Sequence, residues 1–247
     1  MAEKIIPRWE WRSFERRFAT AEPRLRELTP GGVQESDDIY LLHAAGDNVK
    51  VRDALMDIKV LRQVYDAGLE QWTPVMKQAF PLQGPDVARV LEALRLPVSS
   101  RSKDAYTFDE FLAEFAAPGS AIRAVKVHKR RTRYTIDGCT AEHTEVIADG
   151  RPTRTIAVES ADAAAVHRAV RRLGLSGYRN TSYPRGLAAL IDGAPARFAV
   201  IDVGTNSVKF HIGERDVAGK WRRVVDRAEM SRLGEGLVPG GAIAETA

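Results

Sequence analysis

The sequence predicts an α+β protein: an antiparallel, β-rich first part with helices outside it, followed by a shorter segment that opens on a new strand. Three observations carry this reading. Asp137-Gly138 and Asp149-Gly150 separate strand-like runs at Ala121 to Ile136, Thr140 to Ile147 and Arg154 to Glu159, and Asp-Gly between such runs signals a tight hairpin. Val87, Val90, Leu91 and Leu94 fall at helical spacing after a Gly-Pro start. Ile191-Asp192-Gly193-Ala194-Pro195-Ala196 is small and turn-rich between a helical pattern and an apolar strand, which makes it a linker between domains at residues 1–192 and 196–247.

The remaining elements follow by periodicity. Arg8 to Phe14 and Asn48 to Arg52 alternate as strands with two unlike faces, and Asp37 to Ala44, Met56 to Val64 and Gln71 to Phe80 read as further strands. Helices are expected at Arg16 to Leu28, bent at Pro23, at Pro85 to Leu94, at Phe108 to Phe115, and at Ala161 to Leu173 with Ser160 as cap and Gly174 as stop. Trp9 and Trp11, on the face opposite Glu10 and Arg12, are assigned to core packing.

Composition narrows the function classes. A hydrophobic share of 44% supports a core, and a single cysteine, Cys139, allows no internal disulfide. With no leader pattern and no apolar run near the roughly 20 residues of a membrane span, a cytoplasmic setting is expected. The formal charge of +4 is modest, but Arg123, Lys126, Lys129, Arg130, Arg131 and Arg133 crowd one stretch with no acid among them. Such a run favours a polyanion: nucleotide, polyphosphate or nucleic acid. Only Tyr134 adjoins it, so the aromatic platform of a single-strand binder is missing and nucleic acid is disfavoured. Nothing in the sequence speaks to oligomeric state.

Strand periodicity puts Lys129, Arg131 and Arg133 on one face, and Lys50 with Arg52 on one face of another strand. These strands, with the opening Trp9-Glu10-Trp11-Arg12, Lys59, the segment Val127 to Tyr134, Ala141-Glu142, Val158-Glu159 and the closing Ser182-Tyr183, resemble the CYTH superfamily of triphosphate-tunnel proteins over about residues 1 to 190. The resemblance implies an antiparallel barrel closed into a tunnel. Arg12, Lys50, Arg52, Lys59, Lys129, Arg131 and Arg133 would bind phosphate there. Glu10, Glu142 and Glu159 would be the carboxylates left for Mg2+ or Mn2+. Two departures weaken that metal set: Arg8 stands where the family's opening strand has its first Glu, and Ala157 replaces one acid of the final pair. Binding is therefore expected over hydrolysis in this part.

In the second part, an apolar strand runs through Asp202-Val203-Gly204-Thr205-Asn206-Ser207 into an alternating strand. Gly204 can bring amide N–H groups close to an anion, Thr205, Asn206 and Ser207 add donors, and Asp202 suits a metal or a water. With Arg232-Leu233-Gly234-Glu235-Gly236-Leu237, this segment resembles the start of the Ppx/GppA exopolyphosphatase and guanosine pentaphosphate phosphatase family, of actin-like fold. The resemblance implies a phosphate-wrapping loop at Asp202, Gly204, Thr205, Asn206 and Ser207. Strands at Val208 to Glu214 and Trp221 to Ala228 would form the following hairpin, turning at Asp216 to Lys220. The family's second lobe is missing, so the chain reads as a fragment of a longer protein or a truncated product, inactive as an exopolyphosphatase.

Together the resemblances imply a polyphosphate-metabolism protein with inorganic polyphosphate or a nucleoside polyphosphate as partner. The alternatives are a metal-dependent triphosphatase or adenylate cyclase-type enzyme, and a nucleic-acid-binding domain.

Overall fold

The computed structural model describes residues 6–65, 68–98, 102–193, 196–215 and 221–236. They form two compact units that divide between Ile191 and Asp192.

In the first unit eight strands close into a barrel. They are β1 (Arg8–Glu15), β2 (Val33–Leu42), β3 (Asn48–Arg52), β4 (Leu55–Tyr65), β5 (Leu69–Ala79), β8 (Arg123–Ile136), β9 (Cys139–Ala148) and β10 (Arg151–Ser160), in the spatial order β1-β10-β9-β8-β2-β3-β4-β5 with β5 returning to β1. All neighbours are antiparallel. Closure removes the unpaired edges that would otherwise template association. Both predicted Asp-Gly hairpins are present, with Asp137 at φ 50°, Gly138 at 75°, Asp149 at 44° and Gly150 at 78°. Two positive φ values in succession fit the right-handed twist of the strands they join.

The outer rows of the barrel are apolar and roofed by helices. Trp11, Ile156 and Val158 pack with α1 (Ala21–Arg26) and α4 (Ala163–Arg172). Val49, Val51, Ile58 and Met76 pack with α2 (Gly84–Ala93) and α3 (Phe108–Phe115), beside the short pair β6 (Leu82–Gln83) and β7 (Ala105–Tyr106). Thr107 and Glu110 make a capping box that starts α3.

A fifth helix, α5 (Tyr183–Asp192), is placed differently. Tyr183 and Leu187 pack against Tyr40, Leu42, Val125, Val127, Val146 and Ala148. By register these share the inner face with Lys129 and Arg131, so α5 closes the barrel at the end where β2 and β9 finish and β8 begins. The segment before it is pinned: Thr181 N donates to Arg12 O at 2.7 Å, Arg12 N to Asn180 Oδ1 at 2.7 Å, and Asn180 Nδ2 to Gly68 O at 2.6 Å.

Several expectations are corrected. The helix expected at Arg16 to Leu28 shrinks to Ala21–Arg26, leaving Pro23 in its first turn, where a missing N–H costs nothing. The cap of α4 is Asp162, whose carboxylate accepts from Ala164 N at 2.8 Å, because Ser160 is still paired in β10. The second unit keeps the expected opening strand and hairpin, which pair as a three-stranded antiparallel sheet: β11 (Ala196–Val203), β12 (Val208–Arg215) and β13 (Trp221–Glu229). The turn expected at Asp216 to Lys220 lies outside the described residues, as does Leu237. Among the described residues no helix is long and apolar enough to cross a membrane.

A Cβ on Gly186 would lie 2.4 Å from the Phe14 ring, so α5 reaches β1 only because this residue has no side chain. Helix propensity favours Ala over Gly by about 1 kcal/mol, yet overpacking costs about 1–3 kcal/mol. Gly186→Ala is expected to lower the urea midpoint of the first unit, and an unchanged or raised midpoint contradicts the seating of α5.

Candidate functional site

The interior of the barrel is charged, and its order follows from the period of two. Along β8, Lys129, Arg131 and Arg133 point inward at steps of about 6.6 Å. They grade from depth to mouth: Lys129 is 1% exposed and Arg131 8%, while the Arg133 side chain is 51% exposed. Arg12 enters from β1, Lys50 and Arg52 from β3, and Lys59 from β4. Six of these seven predicted cations have a mapped carboxylate partner, and Lys59 acts through its charge on Glu10 and Glu159.

Buried charge needs counter-charge, and the partners form two clusters. In the first, Arg52 holds Asp38 with two hydrogen bonds of 2.6 Å, and Lys129 Nζ donates to Asp38 Oδ2 at 2.6 Å and to the Tyr40 hydroxyl at 2.7 Å. Lys50 Nζ meets Asp57 at 2.5 Å beside it. In the second, Glu142 lies among three guanidinium groups: Arg133 at 3.4 Å, Arg131 at 3.5 Å and Arg12 at 3.9 Å. Arg12 also donates to Glu10 Oε1 at 2.7 Å and to Thr155 Oγ1 at 3.2 Å.

Burial drives most of the ionisation shifts. It pushes the Lys129 ammonium well below its usual range against the pull of Asp38, and lowers Lys50 against Asp57. It raises the carboxyl of Glu159, and Glu10 next to it raises it further. For Glu10 burial is outweighed by Arg12 and Lys59, which hold the carboxyl low. For Asp38 burial is outweighed by Arg52 and Lys129, which hold it at about 2.

Some polar atoms in this interior have no partner. Arg131 Nε, although 3.5 Å from Glu142, makes no hydrogen bond, and neither does Thr144 Oγ1, its register neighbour on β9. A guanidinium fork with a free N–H beside a hydroxyl suits an oxyanion. The metal expectation divides. Glu10 and Glu159 are register partners across β1 and β10, and with Arg12 on Glu10 Oε1 it is the other Glu10 oxygen and Glu159 that suit a shared cation. Glu142 does not fit, because three cations already surround it, and among the described residues no group of three acids or histidines converges on a metal-sized site.

The second unit carries the other predicted group. Gly204 N bonds Ser207 O at 2.9 Å, Arg232 N bonds Asn206 O at 3.0 Å and Gly234 N bonds Thr205 O at 2.7 Å, so the loop is laced to the Arg232 segment. A Cβ on Gly234 would meet Thr205 at 2.6 Å. The Asp202 carboxylate is exposed, with Lys209 Nζ 3.9 Å away.

Sequence reasoning found the cations and missed what holds them. Nothing in the local pattern singles out Asp38, Tyr40 or Asp57, although Asp38 and Tyr40 stand two apart in a predicted strand. A cavity of about 730 Å3 borders Ile39, Val51, Phe80, Phe108 and Ile147 and touches only Arg52 among the predicted cations, so it lies apart from the row of interior cations.

The sequence matches no family model and no curated protein. Solved structures do resemble it. A conserved hypothetical protein of Pyrococcus furiosus aligns at 13% identity and TM-score 0.42, over 72% of this chain and 98% of its own. A Hippeastrum protein presented as a candidate adenylyl cyclase with a dominant triphosphatase activity aligns at 13% and 0.43, over 75% and 96%. A candidate adenylate cyclase of Bacillus halodurans aligns at 12% and 0.43, over 73% and 97%.

The Asp38 cluster sets an acid limit. Its carboxyl titrates at about 2 when folded and about 3.9 when unfolded. Its contribution, roughly 2 kcal/mol, is therefore complete above pH 4 and lost as pH falls towards 2. Asp38→Asn should flatten that limb and cost about 3 kcal/mol at neutral pH by stranding Lys129. Denaturant titrations from pH 2 to 7 check both, and an unchanged acid limb contradicts the assignment.

Proposed function

We propose that the barrel is a triphosphate-binding tunnel, which takes inorganic triphosphate or the triphosphate group of a nucleotide end-on. The observation that carries this is the Lys129-Arg131-Arg133 ladder, open at Arg133 and closed at its deep end by α5. A closed end supports a short anion or a chain terminus over a long polyphosphate threaded through. That favours the triphosphate alternative over polyphosphate metabolism.

Binding works by exchange of partners. Glu142 holds Arg12, Arg131 and Arg133 in the tunnel, and an entering phosphate offers these forks bidentate bonds at closer range than the 3.4–3.9 Å they have now. Arg131 Nε and the Thr144 hydroxyl, which make no hydrogen bond, gain acceptors in the same step. Mg2+ is ordinarily held by one or two carboxylates plus substrate phosphates, and Glu10 with Glu159 are the residues that would hold Mg2+ or Mn2+ here. When bound, the metal would supply charge neutralisation to the phosphates. Arg8, 3.6 Å from Glu159 at the mouth, competes for that carboxylate, which supports binding ahead of turnover.

For the second unit, the laced Gly204 to Ser207 loop supports a phosphate-loop reading of Asp202, Gly204, Thr205, Asn206 and Ser207. Both faces of β11 are apolar and exposed, with Phe198 and Val200 on one and Ile201 and Val203 on the other. This is the pattern of a strand made to be covered on both sides, as in an actin-like α/β sheet.

Titration calorimetry of the full chain with tripolyphosphate tests the tunnel. Binding should weaken steeply as salt rises, and Arg131→Ala with Lys50→Ala should weaken it about a hundredfold or more. Arg130→Ala, on the outer face of β8, should leave it unchanged. No binding by the wild type, or equal affinity for a DNA duplex of matched charge, overturns the reading.

A further inference from the structure

Tyr183 is held on every side by the floor of the tunnel. Its ring stacks on Tyr40 at 5.3 Å and 19° and meets the edge of Phe14 at 5.1 Å. Arg12 lies 4.4 Å from the ring centroid and Lys129 Nζ 4.0 Å from it. Two cations on one ring face the electron-rich side of its quadrupole, so ring and cations fix one another.

The hydroxyl is another matter. It is buried and has no hydrogen-bond partner, whereas the neighbouring Tyr40 hydroxyl accepts from Lys129. Buried polar groups are nearly always satisfied, and an exception asks for a reason. With Arg12 and Lys129 against its ring and Leu42, Val125 and Leu187 in its cluster, Tyr183 stands where the charged interior meets the apolar seal, and the charges of Arg12, Arg131, Glu142 and Asp38, on four different strands, act on its phenol. Burial pushes its ionisation up to about 12, so at neutral pH it keeps its proton and can donate. Arg12 and Lys129 lie against its ring, but the hydroxyl itself is given no acceptor.

We propose that Tyr183 is a phosphate-binding residue of the tunnel: its hydroxyl donates to an oxygen of the innermost phosphate while its ring aligns Arg12 and Lys129 on the same group. This rests on the triphosphate reading above and adds to it a terminal-phosphate subsite on the first residue of α5. A bridging phosphate already bonded to two neighbours has fewer free oxygens for three donors than a terminal one. The subsite therefore selects chain ends.

The test is Tyr183→Phe in the full chain, which keeps the ring, the stacking and the cation contacts and removes one oxygen. Tripolyphosphate affinity by calorimetry should fall about tenfold, while the thermal midpoint stays equal or rises, because the variant discards an unsatisfied buried group. A merely structural tyrosine gives the reverse, an unchanged affinity with a lowered midpoint. Wild-type binding with an equal Tyr183→Phe affinity overturns the Tyr183 role and leaves the tunnel reading standing. Failure of the wild type to bind tripolyphosphate overturns both.

Discussion

The structure depends on keeping cations inside a closed barrel. An ammonium or guanidinium taken from water loses solvation worth several kcal/mol, and that loss is tolerated only where fixed partners replace the water. Lys129, at 1% exposure, has Asp38, the Tyr40 hydroxyl and two aromatic rings. Arg12 has Glu10, Thr155, Glu142 and the Tyr183 ring. Apart from Glu10, these partners lie far from their cations in sequence, so the barrel must close in one register before Lys129 and Arg12 are fully satisfied. A slip of one residue would turn Lys129, Arg131 and Arg133 outward and bring Lys126, His128 and Arg130 in, with Asp38 carried away from all of them.

Retaining this arrangement in place of an apolar core needs a functional reason, since packed hydrophobic residues serve stability at least as well. The two clusters differ in a way that supplies one. Around Asp38 the contacts are short and paired, at 2.6 Å from both Arg52 and Lys129. Around Glu142 one carboxylate is shared by three guanidinium groups at 3.4–3.9 Å, beyond good hydrogen-bond length. The first cluster is a structural lock and the second is under-satisfied. On the proposed reading, anion exchange belongs at the second, where bonds of better length can replace poor ones, while Lys129 would use only the N–H left by Asp38 and Tyr40 and the lock stays closed.

Much of the barrel was legible from local chemistry. The Asp-Gly hairpins need positive φ at both turn residues and have it, and alternation along β8 follows from the pleat whatever the tertiary partners are. The shared faces of Lys129, Arg131 and Arg133, and of Lys50 and Arg52, came with the alternation, whereas Lys59 and the inward direction of these faces came only with the family resemblance. What could not be read was which acids answer them. Asp38 reaches Lys129 from 91 residues away, and nothing in the local pattern of either strand names the other. The helix ends failed for a related reason: Ser160 has the chemistry of a cap, but its backbone was already committed to β1 through Trp9, and Asp162 took the role.

The position of α5 shows why local pattern also missed the closed end. Its sequence is an ordinary amphipathic helix, and the outer wall of the barrel offers apolar rows where α1, α2, α3 and α4 all dock. What diverts α5 inward is a set of steric and polar details spread over the chain. Gly186 leaves room for the Phe14 ring, Asn180 ties β1 to the Gly68 backbone, and Arg185 meets Glu70. Each is weak as a local signal. Together they fix a helix whose first residue, Tyr183, stands with its ring against Arg12 and Lys129. Closure of the barrel and placement of its deepest cations are thus the work of the same residues, so a change that loosens α5 must also disorder Arg12 and Lys129.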